Sequence, residues 1–363
     1  MVQGSTTPAR AVWPPLRPAR HLYPGYFALV MATGIVSSAL LDVGLGTLSG
    51  LLAAIAVVCF AVLLVALTVR VVVFRAELLA DLSAADRAYA FFTVVAACGV
   101  LGARLAADGH LGVTVGLGVL AALVWMGLSY GIPVRLILGP RPRPVLAGVN
   151  GTWFIWVVGT QSIGVIISAL VVMFPAHARP AALAAVLMWS VGLMLYLIVA
   201  TLVLTRLLLL EVRPEDLTPP YWVTMGATAI TVLVAARILG MPEAPAITAA
   251  RPLIAGLAVV LWAFGTWLIP MLVLFGIWRH MLQRVRLEYL PQLWSVIFPL
   301  GMYAVASMEL GRAIHLPIVE EIGRLWVWVA MPAWTLTFVG MVADLTRRLL
   351  AVRRRHRVHA AVK

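Results

Sequence analysis

The chain reads as an all-α polytopic membrane protein, and three observations carry that reading. Hydrophobic residues fill 63% of the 363 positions and charged residues only 11%, with a mean hydropathy of +1.03. That is more apolar surface than a soluble domain can bury. The apolar residues fall into ten runs, each long enough to cross a bilayer as a helix. The runs also alternate in length, which makes them a repeat of paired elements. The expected architecture is ten transmembrane helices in five helical hairpins, the shorter odd members forming an inner pore ring and the longer even members an outer ring.

Residues 1–20 are rich in Pro and Arg and hold no apolar run, so they are expected to form a disordered cytosolic tail. A signal peptide is not expected, because the first apolar stretch is already of spanning length and many more follow. The spans fall at about 24–43, 48–74, 88–107, 112–138, 151–174, 181–210, 220–240, 251–278, 290–310 and 324–350. Odd spans run about 20 to 24 residues and even spans about 27 to 30. Links inside a pair are short and those between pairs longer and charged, giving a hairpin period of roughly 65 to 70 residues. Residues 21–350 thus form one ten-helix domain. Residues 351–363 close the chain as a basic cytosolic tail suited to lying near anionic lipid.

The net charge of +13 comes almost wholly from arginine, with Lys363 the single lysine. In a soluble chain such an excess points to nucleic acid, but here the arginines sit between spans and at the ends, so no nucleic-acid partner is expected. Placing both termini in the cytoplasm puts 21 of the 27 basic residues on that side, the arrangement expected in a bacterial inner membrane. The abundance of arginine over lysine fits a GC-rich bacterial genome.

Each odd span carries glycine near its middle, and several add small polar residues. The set comprises Thr33, Gly34 and Ser37; Gly99 and Gly102; Thr160, Gln161 and Gly164; Thr224 and Thr228; and Gly301. Such residues either pack helices closely or line an aqueous path, and their joint recurrence on the odd spans favours the path. The ninth span, WSVIFPLGMYAVASM, is interrupted by Phe298-Pro299 and Gly301. Proline there removes a backbone hydrogen bond and should kink the helix, a feature tolerated at membrane depth where protein or a cavity covers it. An aromatic ring beside such a kink can plug a narrow pore, exclude water, and swing aside by a rotamer change, so Phe298 and Pro299 are the expected gate.

Other chemistries lack residues. There is no HExxH, paired-cysteine motif or glycine-rich phosphate loop, and the histidines fall in loops, ends or tails, so neither an enzyme, a metal site nor a cofactor is expected. Cys59 and Cys98 read as packing residues. Arg104, Arg237 and Arg312 lie at the outer ends of odd spans, where together they would concentrate anions at a mouth. The midplane would offer hydroxyls and backbone, without fixed charge to trap an ion. Glu309 is the nearest candidate for a proton site, although Arg312 three residues on is placed to neutralise it.

On the segments YPGYFALVMATGIVS (Tyr23 to Ser37), GTQSIG (Gly159 to Gly164) and FPLGMYA (Phe298 to Ala304), the sequence resembles the tellurite-resistance and C4-dicarboxylate transporter family. That family includes fungal malate and sulfite transporters and the plant slow anion channels. Ala32 stands where a second glycine is expected. The resemblance implies ten helices in five pseudo-symmetric hairpins, a pore in each subunit of a homotrimer, and a phenylalanine plug that matches Phe298. The expected function is passive transport of small inorganic or organic anions. A proton-coupled C4-dicarboxylate carrier or sulfite or tellurite exporter is the alternative within transport. A sensor or scaffold acting through the basic tail is a third possibility of a different class.

Overall fold

The computed structural model describes residues 17–139 and 144–361. Among them there is no strand, and ten helices are long and apolar enough to cross a membrane. We label these α1 (Ala28–Asp42), α2 (Gly46–Val73), α3 (Thr93–Ala107), α4 (Leu111–Leu138), α5 (Phe154–Met173), α6 (Ala178–Leu209), α7 (Val223–Leu239), α8 (Pro245–Ile277), α9 (Trp294–Ala313) and α10 (Pro317–Ala361). A further short helix, Arg75–Ser83, follows α2 outside the spans, and Arg17–Arg20 forms one helical turn. The first 16 residues of the expected tail lie outside the described residues.

The two length classes differ in burial. In the odd spans 72–83% of the most apolar window is buried inside the protein, against 17–39% in the even spans. Helices α1, α3, α5, α7 and α9 touch in succession, and α9 also packs on α1. Each even helix packs along its preceding odd partner and reaches a second odd helix: α2 touches α3, α4 touches α5, α6 touches α7, α10 touches α1, and α8 reaches α9 through the Trp262–Ser307 hydrogen bond. The outward faces of the even helices carry Leu, Val, Ile and Met, as a surface facing lipid requires.

Four boundaries differ from the sequence reading, at the two ends of α8 and of α10. Helix α8 begins at Pro245, because proline is well placed in a first helical turn and Arg251 and Pro252 are carried inside the helix. At its other end α8 runs on as a π-helical segment, Trp278–Leu282. Helix α10 begins at Pro317 and continues through Ala361, so Glu320, Glu321 and Arg324 lie within it and the backbone of the expected basic tail is helical to that point. The helix assignment also runs without a break through Pro299 in α9, as it does through Pro133, Pro252, Pro270 and Pro332. A proline alone therefore does not mark the ninth span as special.

The tight turns joining α1 to α2, α3 to α4 and α9 to α10 share one geometry. Gly44, Gly109 and His315 occupy corresponding left-handed positions, with φ of 85°, 82° and 56°. Each odd helix closes by a backbone bond from the residue after that position to a carbonyl of its last turn: Leu45 to Leu40, His110 to Leu105 and Leu316 to Gly311. His315 adopts in the last turn a conformation that costs an L-residue about 1–2 kcal/mol.

Candidate functional site

All five odd spans begin in the same way. A 3₁₀ turn precedes each short helix: Pro24–Phe27, Ala88–Phe92, Gly151–Trp153, Pro219–Trp222 and Pro291–Leu293. Proline opens three of them, where its missing N–H costs nothing and its fixed φ suits a helix start. Each turn touches the next and the fifth touches the first, so the five form a closed collar at one end of the short helices. Aromatic residues thicken it. The Tyr89 ring lies 4.5 Å from Trp153 and 5.2 Å from Trp156, and Phe27 meets Phe60 edge-on at 5.8 Å. Where the third and fourth turns meet, a Cβ on Gly151 would fall 2.4 Å from the backbone of Pro220, so only glycine fits.

Higher up, the long helices are fastened to the short ones by tryptophan. Trp125 of α4 donates its indole N–H to the Thr160 hydroxyl of α5 at 2.9 Å, and Trp189 of α6 donates to the Thr231 carbonyl of α7 at 3.1 Å. Trp262 of α8 donates to the Ser307 hydroxyl of α9 at 2.8 Å. Trp334 of α10 donates to the Thr33 hydroxyl of α1 at 3.0 Å. In each case the bond leaves one hairpin for the short helix of the next, and the last returns to the first. Helix α2 is the exception; its ring contact is Phe60 against Phe27 of the first collar turn, and phenylalanine has no N–H to give.

These bonds bear on the residues expected to line a path. Thr33 and Thr160 each accept a tryptophan N–H from a long helix. The Gln161 amide donates to the Trp189 carbonyl of α6, and the Ser37 hydroxyl exchanges bonds with Ser49 of α2. Thr228 bonds the Met225 carbonyl of its own helix, and its oxygen sits against Gly265 of α8. The glycines mark close helix contacts: Gly34 against Val100 and Leu101, Gly99 against Ser162, Gly102 against Ile166, Gly164 against Val234, and Gly301 against Ile35 and Val36. Thr224 alone of the set is only half-buried, near the collar. In the folded protein most of these polar atoms are engaged with neighbouring helices or with their own turn, while the buried Gln161 Oε1 has no hydrogen-bond partner among the described residues. The sequence periodicity could not separate the face of a short helix that meets its neighbours from the face that meets an axis.

The end opposite the collar is charged, and its arginines are paired. Arg104 is buried at 3% exposure; its Nε donates to Ser37, its Nη2 to Ser49, and its Nη1 meets Asp108 at 2.8 Å. It therefore clamps α1, α2 and α3 together. Arg237 of α7 lies 3.8 Å from Glu309 of α9, and Arg312 lies 3.1 Å from Glu320, which Arg324 also reaches at 2.8 Å. So Glu309 takes its partner from the adjacent short helix, while Arg312 turns to α10. Asp42, at the end of α1, stands within electrostatic range of Glu309, Arg237 and Arg312. Around this rim cation and carboxylate are interleaved, which cancels much of the positive field that three free arginines would produce.

Phe298 lies between these two ends, fully buried on α9. Opposite it is Gly226 of α7: a Cβ there would stand 3.4 Å from the Phe298 ring and 2.8 Å from Pro299 Cγ. The Phe298-Pro299 pair thus occupies the contact between the helix that closes the circuit and its neighbour. Among the described residues no three His, Cys, Asp or Glu side chains lie close enough to hold a metal ion, and Cys59 and Cys98 are free thiols.

Ten spanning helices, five of them short and buried in a closed circuit of contacts, define a polytopic all-α membrane protein. The family described as voltage-dependent anion channel matches residues 21–342, and the chain belongs to it. Membership of that family implies transport of anions across a membrane. An uncharacterized transporter of Methanocaldococcus jannaschii is 26% identical over 330 residues, covering 88% of this chain and 92% of its own length. An uncharacterized membrane protein of Mycobacterium tuberculosis strain H37Rv is 58% identical over 151 residues, 42% of this chain and 77% of that protein.

Proposed function

We propose that the chain is a passive, gated pore for small anions, with the five short helices as its wall and Phe298 as its gate. The observation that carries the reading is the fully buried Phe298 ring on the helix that completes the circuit of short helices, set against a glycine of the neighbouring helix. A buried aromatic ring in a narrow apolar passage removes the water that an ion needs, and a rotamer change restores it. Gly226 gives the ring and Pro299 room to lie close to α7 in the closed state.

The wall in this reading is largely apolar side chain and backbone, because the hydroxyls of the short helices hold the long ones in place. Binding along such a wall is weak, which favours throughput. The paired rim of Arg237, Glu309, Arg312 and Glu320 offers an approaching anion exchangeable partners, without one dominant trap. We place the protein in a bacterial plasma membrane with both termini in the cytoplasm, on the arginine distribution, and expect a homotrimer from the family resemblance.

One observation favours a second reading. Glu309 lies with Asp42, Arg237 and Arg312 at the rim, and a proton-coupled C4-dicarboxylate or sulfite carrier needs an ionisable residue on its path. Flux into liposomes of chloride, nitrate, malate and sulfite, with and without an imposed pH gradient, separates the two. For a passive pore each anion follows its own gradient, and Phe298→Ala raises flux about tenfold or more, the equivalent of about 1.4 kcal/mol removed from the barrier. Unchanged flux in a correctly assembled Phe298→Ala protein sinks the gate, and uphill accumulation driven by the pH gradient makes the protein a carrier.

A further inference from the structure

At the collar end a cavity of about 230 Å³ opens between α8, the start of α9 and the fourth and fifth collar turns. Its walls are mostly apolar, including Leu217, Trp222, Leu272 and Phe275, and its polar lining includes Tyr221 and Arg279. The volume equals that of about eight water molecules, enough for a headgroup phosphate and part of a chain.

Three features make this more than a surface crevice. The Tyr221 side chain is buried, at 4% exposure, yet its hydroxyl has no hydrogen-bond partner among the described residues. Arg279 donates from Nη1 to the Leu217 carbonyl, but its buried Nε has no hydrogen-bond partner among the described residues, and the Glu215 carboxylate acts on it only through space. Buried polar groups are normally satisfied, and here two residues of one cavity wall each keep an unpartnered donor. The wall that carries Arg279 is the π-helical segment Trp278–Leu282, a widening of the helix that recurs at functional sites. His280 in the same segment donates from Nδ1 to the Val285 carbonyl at 2.8 Å, which fixes that wall to the following loop.

We propose that this cavity binds an anionic phospholipid, with the phosphate between Arg279 and the Tyr221 hydroxyl and the start of an acyl chain in the apolar slot. Both donors suit a phosphate oxygen, and a guanidinium matches its geometry. The setting selects a lipid over a free anion. Helix α8 faces outward along its length, Gly276 leaves the cavity wall open, and the exposed Met281, Leu282 and Leu287 continue the apolar surface beyond the helix end. The site lies at the membrane edge on the side that carries both ends of the ten-span domain. It stands on residues separate from the proposed gate and does not depend on that reading.

Trp222 in the cavity wall supplies the readout. The whole protein in nanodiscs is titrated with brominated phosphatidylglycerol or brominated phosphatidylcholine, and the quenching lost in Trp222→Phe isolates that indole. Phosphatidylglycerol is expected to reach half-saturation at about fivefold lower mole fraction, corresponding to the about 1 kcal/mol that one basic residue contributes beside anionic lipid. Arg279→Gln removes that preference and Arg279→Lys retains part of it. Tyr221→Phe, which deletes one oxygen without disturbing the helix, weakens binding with an unchanged melting temperature and serves if the arginine variants do not assemble. Equal quenching by the two lipids, or a preference that survives both Arg279→Gln and Tyr221→Phe, overturns the proposal. Relief of the phosphatidylglycerol quench by millimolar inorganic phosphate assigns the site to a free anion and overturns the lipid assignment.

Discussion

Within every hairpin the less apolar helix is the one buried in protein, and the more apolar helix is the one left at the surface. A soluble fold sorts its elements the other way. In a bilayer the lipid tails solvate Leu and Val as well as a protein core does, so hydrophobicity does not draw a helix inward. What decides the inner position is the ability to approach closely and to satisfy polar atoms. The short helices supply both, through Gly99, Gly164 and Gly301 at helix contacts and through hydroxyls that receive tryptophan N–H groups. The long helices keep several of their glycines idle: at Gly116, Gly127, Gly131 and Gly256 no neighbouring atom comes within 4 Å of where a Cβ would stand.

That contrast is broken most strongly by enlarging a glycine of each class. Gly99→Val should cost several kcal/mol or abolish assembly, because its Cβ alone would stand 2.6 Å from the backbone oxygen of Ser162 on α5. Gly127→Val on α4 should leave thermal stability nearly unchanged. Equal effects would mean that short-helix packing is no tighter than that of the outer helices. Next in size, Trp334→Phe removes the N–H bound by Thr33 while keeping the aromatic bulk, and should lower stability by about 1 kcal/mol in a thermal unfolding scan. Thr33→Val should cost a similar amount, and the double variant little more than either single one.

The smallest effect concerns a loop outside the spans. Burial alone would raise the pKa of Asp216, but the backbone N–H of Arg213 and the Arg206 side chain, 3.0 Å away, together hold it below the usual carboxylate range. A depressed folded-state pKa stabilises above the unfolded-state value and is lost as pH falls through the folded one. The stability difference between the protein and Asp216→Asn should therefore be constant near neutral pH and shrink on acidification below about pH 4. A difference that stays flat into acid would show that the Arg206 contact does not shift the carboxyl.

Much of the architecture was legible because it is written in run lengths. The ten spans and their short-long alternation follow from apolar runs and charged breaks alone, and the observed bounds agree to within a few residues except at α8 and α10. The collar was hidden because its five turns share no residue pattern: Pro-Gly, Ala-Tyr, Gly-Thr, Pro-Pro and Pro-Gln open them in turn. The tryptophan bonds were hidden for a different reason. Trp334 and Thr33 are 301 positions apart, and no local signal says which outward-looking indole meets which hydroxyl. Thr33, Ser37, Thr160 and Gln161 were legible as unusual for a membrane helix, but polarity on one helix does not say which neighbour consumes it. The rim arginines were likewise visible as charges and not as pairs, since Arg237 and Glu309 come from different helices.

The bond from Trp334 to Thr33 also has a bearing on how the protein is made. A ribosome delivers the chain from its amino end, and helices join the bilayer as they emerge. Trp125, Trp189 and Trp262 each look forward to a helix that arrives soon after, whereas Thr33 must wait for nearly the entire domain to be synthesised. Until α10 inserts, α1 lacks both its tryptophan donor and a flanking long helix, and the seam where α9 closes on α1 is left uncovered on its outer side. The final helix is thus a clasp over a circuit that α9 has already closed, and a nascent protein that stalls before it keeps that last seam bare in the membrane.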